Sequence, residues 1–323
     1  MQTIAVIGAN GRLGNQIALA FHSAGYRVIA ITRSGIAAHL PAQIERRTAD
    51  ATDRQALIRA TEGAQFIFNG LNPLYTQWAK LVLPLGANVM AAARAHGAVH
   101  LFPGNVYNHG ETIPPVLKDD SPQEARTRKG AIRIELERRF REESSRSGTQ
   151  TILLRAGDFF GGRVAGTWFD LVIAKKIANG IFTYPGPMDI PHAWAYLPDL
   201  AKAFVRLADE AGNLQPFETF QFPGHTMTGT ELKNHCEAAI GQTLKQRGMP
   251  WPLLRLGGLV VPMLREVSEM AYLWRVAHSL DGSKLEALIG PVPKADPQAA
   301  VATALSDFGI DTSAAKSALP AAV

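Results

Sequence analysis

Five short apolar runs rich in β-branched residues, separated by stretches with helical spacing, organise the first half of the chain. They are TIAVIG from Thr3, RVIAIT from Arg27, AQFIFNG from Ala64, AVHLFPG from Ala98 and TQTILLRA from Thr149. Between them, apolar residues recur at helical intervals over Leu13 to Ala24, Trp78 to His96 and Ile132 to Ser145. A weaker strand, Ile44 to Thr48, precedes a short helix, Arg54 to Ala60. This alternation predicts an α/β fold: a Rossmann-type, doubly wound parallel sheet with helices on both faces. The beat fails after about Arg155. A loop (YPGPMDIPHAW), a helix (PDLAKAFVRLAD), a strand (TFQFPG) and a largely helical remainder follow. The expected division is a dinucleotide-binding-type domain over residues 1–155, with about 198–224 returning to it. A smaller, mainly helical substrate lobe takes 156–323, and the Ala-rich tail from Thr312 reads as disordered.

The first strand-to-helix turn, GANGRLG, sets Gly8, Gly11 and Gly14 three apart. The first permits a sharp turn, the second lets a phosphate approach backbone without meeting a Cβ, and the third lets the helix pack closely. Asn10, Arg12 and Leu13 complete the turn, and the helix N-terminus offers free N–H groups to a diphosphate. A bare glycine triplet can be a structural turn only. Here the strand before it and the helix after it supply the context that a dinucleotide requires.

No carboxylate occurs before Glu45, so the end of the second strand lacks the acid that binds ribose hydroxyls in NAD sites. Arg33 and Ser34 stand there instead, suited to a 2′-phosphate, with Arg12 as a possible helper. The expected cofactor is therefore NADP, with NAD as the lesser choice. In TADATD, Asp50, followed by Ala51, is placed either to accept from the adenine amino group or to cap the next helix.

The remaining composition narrows the field. A net charge of +5 suits anionic small molecules, but such charge is no evidence for nucleic acid unless it clusters. Cys236 is alone, so no intramolecular disulfide forms, which points to a reducing compartment. LGGLVVPML, from Leu256, falls far short of the ~20 residues of a membrane span, and no leader-like segment opens the chain. The expectation is a soluble, cytoplasmic protein with a small-molecule substrate, no nucleic-acid or membrane partner, and a possible homodimer. No metal site is expected, since no His, Cys or Glu grouping has ligand spacing.

These motifs resemble the short-chain dehydrogenase/reductase superfamily in its extended, epimerase/dehydratase-like branch. The resemblance rests on GANGRLG, ADATD, GANVMAAARAHGAVHLFPGNVY, LLRAGDFFG and HAWAYLPDLAKAF, and covers roughly Thr3 to Gly224. It implies the fold, a nicotinamide cofactor with Asn105 near it, and carbonyl or alcohol chemistry. The chain departs from that pattern at the reaction centre. None of its six tyrosines has a Lys four residues on. Aligning KGAIRIELE with Tyr-x-x-x-Lys-x-x-x-Glu places Lys129, Arg133 and Glu137 at those positions, and the usual Ser or Thr falls near Pro103 to Asn105. Lys129, with Arg133 beside it depressing its pKa, is one candidate acid. The alternative is a solvated basic helix of mixed charge. Tyr107, just past the fifth strand, is the phenolic candidate. Asn105, Asp158, His192 and Tyr196 are rim residues with structural roles more to be expected. The apolar stretch Pro250 to Trp274 reads as a helix forming lobe core, a dimer contact or the wall of an apolar substrate pocket.

Three functions stand open. The first is an NADP(H)-dependent oxidoreductase of a small, partly apolar carbonyl or alcohol. The second is an epimerase or dehydratase that retains its cofactor. The third is a non-catalytic NADP sensor.

Overall fold

Every strand of the main sheet is paired in parallel, and its interior strands are the apolar runs buried on both faces that such a sheet requires. The computed structural model describes residues 1–37 and 39–312. The first half runs β1 (Thr3–Ile7), α1 (Arg12–Ser23), β2 (Arg27–Thr32), β3 (Glu45–Thr48), α2 (Arg54–Ala60) and β4 (Phe66–Asn69). It continues with α3 (Trp78–His96), β5 (Val99–Gly104), β6 (Val116–Leu117), α4 (Arg128–Ser147) and β7 (Thr151–Arg155). Then come β8 (Asp158–Phe160), β9 (Ile181–Tyr184), β10 (His192–Tyr196), α5 (Leu197–Asp209), β11 (Phe217–Gln221), β12 (His225–Met227) and α6 (Gly229–Ile240). The last elements are β13 (Lys245–Gly248), α7 (Trp251–Gly257), α8 (Pro262–Ser268), β14 (Ser279–Leu280), α9 (Ser283–Ile289) and α10 (Pro297–Asp307).

Seven strands form the sheet in the order β11-β7-β5-β4-β1-β2-β3. All five residues of β1 are buried. Ile4 and Val6 join the core under α1 and α5, while Ala5 and Ile7 join the core under α2 and α3. The winding reverses between β1 and β4, which opens a crevice at their carboxyl ends. Gly8 and Gly70 face each other there. Gly8 has φ +79°, and a Cβ on it would lie 2.9 Å from the Gly70 carbonyl oxygen.

The second half returns α5 and β11 to this sheet, and β11 pairs with β7 from Phe217↔Thr151 to Gln221↔Arg155. Its helices are accompanied by three small sheets, β12-β10-β8, β13-β9 and β14-β6. Phe160, Phe182, Trp194, Trp274 and Val301 centre a second core. A third core, with Trp78, Phe102, Leu136, Phe140 and Leu273, joins α3 and α4 to the segment after α8.

Several element expectations need correction. The stretch from Pro250 to Trp274 is not one helix: α7 ends at Gly257, α8 begins at Pro262, and a 3₁₀ run covers Glu269–Arg275. Two adjacent glycines and a proline lacking an N–H break it. The presumed loop YPGPMDIPHAW ends inside β10, where five consecutive buried residues start at His192. Helix α4 begins four residues before Ile132, because the Thr127 side chain accepts from Gly130 N at 3.1 Å and caps it. Beyond Thr312 the tail lies outside the described residues.

Candidate active site

The glycine turn lies at the switch point of the sheet. Gly11 N donates to Gly8 O at 2.8 Å, closing the turn, and Gly11 is the N-cap of α1 with no side chain capping it. A Cβ on Gly11 would meet only Gly8 O, at 3.1 Å. A Cβ on Gly14 would overlap the Gly8 carbonyl. Leu13 is buried beneath the turn, and exposed Asn10 donates through Nδ2 to Ile36 O at 2.5 Å. That bond ties the turn to the loop after β2.

Arg33 and Ser34 are exposed at the end of β2. Ser34 Oγ accepts from Ile36 N at 3.3 Å. Asp50 does not cap α2; Asp53 does, accepting from Gln55 N and Ala56 N. Asp50 accepts instead from Thr52 N at 2.9 Å and Thr52 Oγ1 at 2.8 Å. These two bonds, with Arg33 nearby, hold its carboxyl below the ordinary range. Ala51 is buried, and its carbonyl accepts from Asn88 Nδ2 at 2.9 Å, anchoring this loop to α3.

Arg12 does not join Arg33. Its guanidinium passes under Gly166 toward Asp170, Tyr75 and Tyr107. Burial lowers its pKa most, against those anionic or phenolic neighbours, and its Nε is buried without a partner. Asn105 turns its side chain inward, accepting from Tyr107 N at 3.1 Å, while its carbonyl accepts from Arg155.

Past the carboxyl end of β5 the structure gathers a polar cluster. The hydroxyls of Tyr75 and Tyr107 are 2.9 Å apart. Arg133 is buried, its guanidinium 5.0 Å from the Trp78 ring and 5.3 Å from that of Phe102, with Nε unpartnered. Burial pushes the Tyr75 phenol up, while Tyr107, Arg133 and Arg12 pull it back. Burial pushes Tyr107 well above the usual phenol range, and Tyr75 and Asp158 add to it. Both phenols therefore keep their protons at neutral pH.

Asp158 and His192 belong to this cluster more closely than their sequence positions suggest. They lie on adjacent strands, His192 Nε2 is 2.8 Å from Asp158 Oδ2, and the imidazole stacks on Trp274 at 4.3 Å. The charge of Asp158 is felt by Tyr75, Tyr107, Tyr184 and Tyr272 alike. Tyr196, by contrast, packs in the second core against Phe160, at 5.2 Å.

Lys129 is held in a cluster of ion pairs. It is buried, but Nζ donates to Glu266 Oε2 at 2.5 Å and Glu269 Oε2 at 2.7 Å, and its backbone N–H donates to Glu269 Oε1 at 3.0 Å. These bonds form a clamp that holds α8 and the segment after it against α4, and Nζ also lies 5.0 Å from the centre of the Tyr75 ring. Arg133 sits by the tyrosine pair rather than serving Lys129. The solvated-helix alternative fails for both, though Arg138 and Arg139 do pair with Glu135 at the surface. Glu137 is buried in an ion pair with Arg155, at 2.8 Å.

The residues present fit a dinucleotide. The Gly11 cradle is space a Cβ would fill, the N-terminus of α1 lacks a side-chain cap, and two orphaned guanidinium donors lie along the cleft. The model of the NmrA-like family matches residues 1–294. The chain belongs to the NmrA-like family. Solved structures align with this NmrA-like protein over nearly its full length. An L-threonine dehydrogenase from Cupriavidus necator in its holo form is 19% identical, with TM-score 0.76, covering 95% of this chain and 99% of the other. The UDP-glucose 4-epimerase of Thermotoga maritima, solved with UDP-glucose, is 14% identical with TM-score 0.76 and the same coverages. A Bacillus cereus UDP-glucuronic acid 4-epimerase, in complex with UDP-glucuronic acid and NAD, is 13% identical, again with TM-score 0.76 and coverages of 95% and 99%. These likenesses establish the Rossmann-type fold. No curated protein matches the chain in sequence.

Proposed function

We propose that this NmrA-like protein is an NADP(H)-dependent oxidoreductase acting on a carbonyl or alcohol of a small, partly apolar substrate. The observation that carries the reading is the Tyr75–Tyr107 pair, set near Arg133 and Asp158 and reached by Arg12 from the glycine turn. Gly11, Arg12 and the first turn of α1 would hold the diphosphate, and Arg33 with Ser34 the 2′-phosphate. A bound nicotinamide supplies a hydride. Tyr107 Oη donates its proton to the substrate oxygen, and half-buried Tyr75, hydrogen-bonded to it, returns one from solvent. Arg133 stabilises the phenolate that forms, as a fixed cation beside the pair. Asp158, oriented by His192, accepts from a substrate hydroxyl or from a phenol.

The test is stopped-flow NADPH oxidation across a panel of aldehydes and ketones. Tyr107→Phe is expected to slow turnover about a hundredfold, within the range of a positioned general acid, with NADPH affinity nearly unchanged. Full activity in that variant would remove the assignment.

One observation favours a second reading, an NADP sensor. The helix position that carries tyrosine in active relatives is spent here on the Lys129 clamp. NADPH binding with no turnover, together with NADPH-dependent capture of a protein partner, would select it.

A further inference from the structure

Trp251 to Arg275 forms a helical hairpin with an uncovered apolar end. Helices α7 and α8 pack back to back because Gly257 and Gly258 lack side chains. A Cβ on Gly257 would lie 2.8 Å from Leu264 Cδ1, and one on Gly258 3.0 Å from the Arg265 backbone. Around the turn, Leu253 is 68% exposed, Leu256 66%, Leu259 82%, Val260 85% and Val261 45%. Single exposed leucines are ordinary, but a contiguous set on one tip marks an interaction surface. The tip's backbone N–H groups are already bonded. Gly258 N donates to Leu254 O at 2.9 Å, Leu259 N to Leu256 O at 3.1 Å, Val260 N to Gly257 O at 3.1 Å and Val261 N to Gly257 O at 2.8 Å. Such a tip enters an apolar medium without stripping water from unpaired N–H groups.

Charge identifies the medium. Arg255, Arg265 and Arg275 are exposed along the hairpin. The carboxylates between 251 and 275 are Glu266 and Glu269, and Lys129 holds both. Arg265 Nε also lies 3.7 Å from Glu266, and Arg255 and Arg275 share a cavity wall with Glu111 and Glu269. With Arg128 and Lys129 counted, five cations face three carboxylates, so the net charge of this collar around the aliphatic wedge is positive. An anionic bilayer surface matches both parts, acyl chains for the wedge and phosphates for the collar. A second copy of this chain would bring like-charged collars together.

We propose that the α7–α8 hairpin is a docking element that seats its aliphatic tip in one leaflet of an anionic membrane. No helix among the described residues is long and apolar enough to cross a bilayer, so the contact is with one face. This differs from the expectation of no membrane partner and stands independently of the chemistry at the tyrosine pair. The same segment walls a cavity of about 340 Å³ with Arg255, Glu269, Tyr272 and Arg275, which Glu111 joins from outside the hairpin. Docking would bring that cavity to the lipid surface.

Cosedimentation of the whole chain with vesicles tests this, comparing phosphatidylcholine alone with phosphatidylcholine plus phosphatidylglycerol. The protein is expected to pellet with the anionic vesicles and to be released by salt. L259S combined with V260S should weaken binding at least about tenfold, through lost apolar burial. R255Q and R265Q should each cost about fivefold. All these side chains are exposed, so unchanged thermal melts are expected and would exclude misfolding as the cause. Protein that stays in the supernatant with both vesicles overturns the proposal. So does a double variant that pellets like the unmodified chain. A dimer in sedimentation equilibrium that L259S/V260S dissociates, without vesicle binding, would assign the tip to a second copy and equally overturn it.

Discussion

Gly11 and Gly14 stand one helical turn apart and answer to different constraints. Gly11 has φ −73°, open to any residue, and little protein near its missing Cβ. Gly14 packs against the Gly8 carbonyl. Gly11→Val should therefore fold normally and lose NADPH binding, whereas Gly14→Ala should be less stable by about 1–3 kcal/mol, as overpacking costs. Thermal melts and NADPH fluorescence titrations on both variants separate these outcomes. A folded Gly11→Val protein with ordinary NADPH affinity would move the diphosphate elsewhere. At this scale the glycine turn was legible in the sequence because spacing along one chain segment defines it. Asp50 was not, since Asp50 and Asp53 both precede α2 and only the fold shows which one caps it.

Among the elements, the strands were readable because burial on both faces makes them continuously apolar. The break in Pro250 to Trp274 was also written in the sequence, as Gly257, Gly258 and Pro262, though its overall apolar character suggested one helix. The pairing of Asp158 with His192 had no such signal, since it depends on β8 lying next to β10 across 34 residues. The Lys129 clamp spans 137 residues to Glu266 and 140 to Glu269, so the same lysine looked either catalytic or solvated. Its role predicts a stability effect. Lys129→Met leaves two largely buried carboxylates short of their cation, of which Arg128 still pairs with Glu266 at 2.6 Å. Breaking a buried pair costs about 3–5 kcal/mol, so urea unfolding should shift by about 3 kcal/mol. Unfolding at the unmodified midpoint would return Lys129 to the list of reacting groups.

At the scale of the molecule, buried histidines make stability depend on pH. Burial pushes His100 down to about 3 and His109 and His278 down to about 4. In the unfolded chain each titrates near the ordinary value of about 6.5, so below that pH the unfolded state binds more protons. Stability is then lost as pH falls from about 6.5 toward the folded values. Each of the three contributes up to about 2 kcal/mol of that loss at pH 5. Urea midpoints at pH 7 and pH 5 check this, and equal midpoints would mean that these rings gain protons without unfolding. The central claim is that NADP(H) runs from Arg33 past the glycine turn to Tyr107. Hydrogen bonds to a charged group contribute about 1.5–3 kcal/mol, or roughly ten- to a hundredfold in affinity. The most direct measurement is a fluorescence titration of the purified chain with NADPH and with NADH, repeated on Arg33→Ala. NADPH is expected to bind at least about tenfold tighter, with most of the difference gone in Arg33→Ala. Equal affinities, or no binding of either dinucleotide by the folded chain, would contradict it.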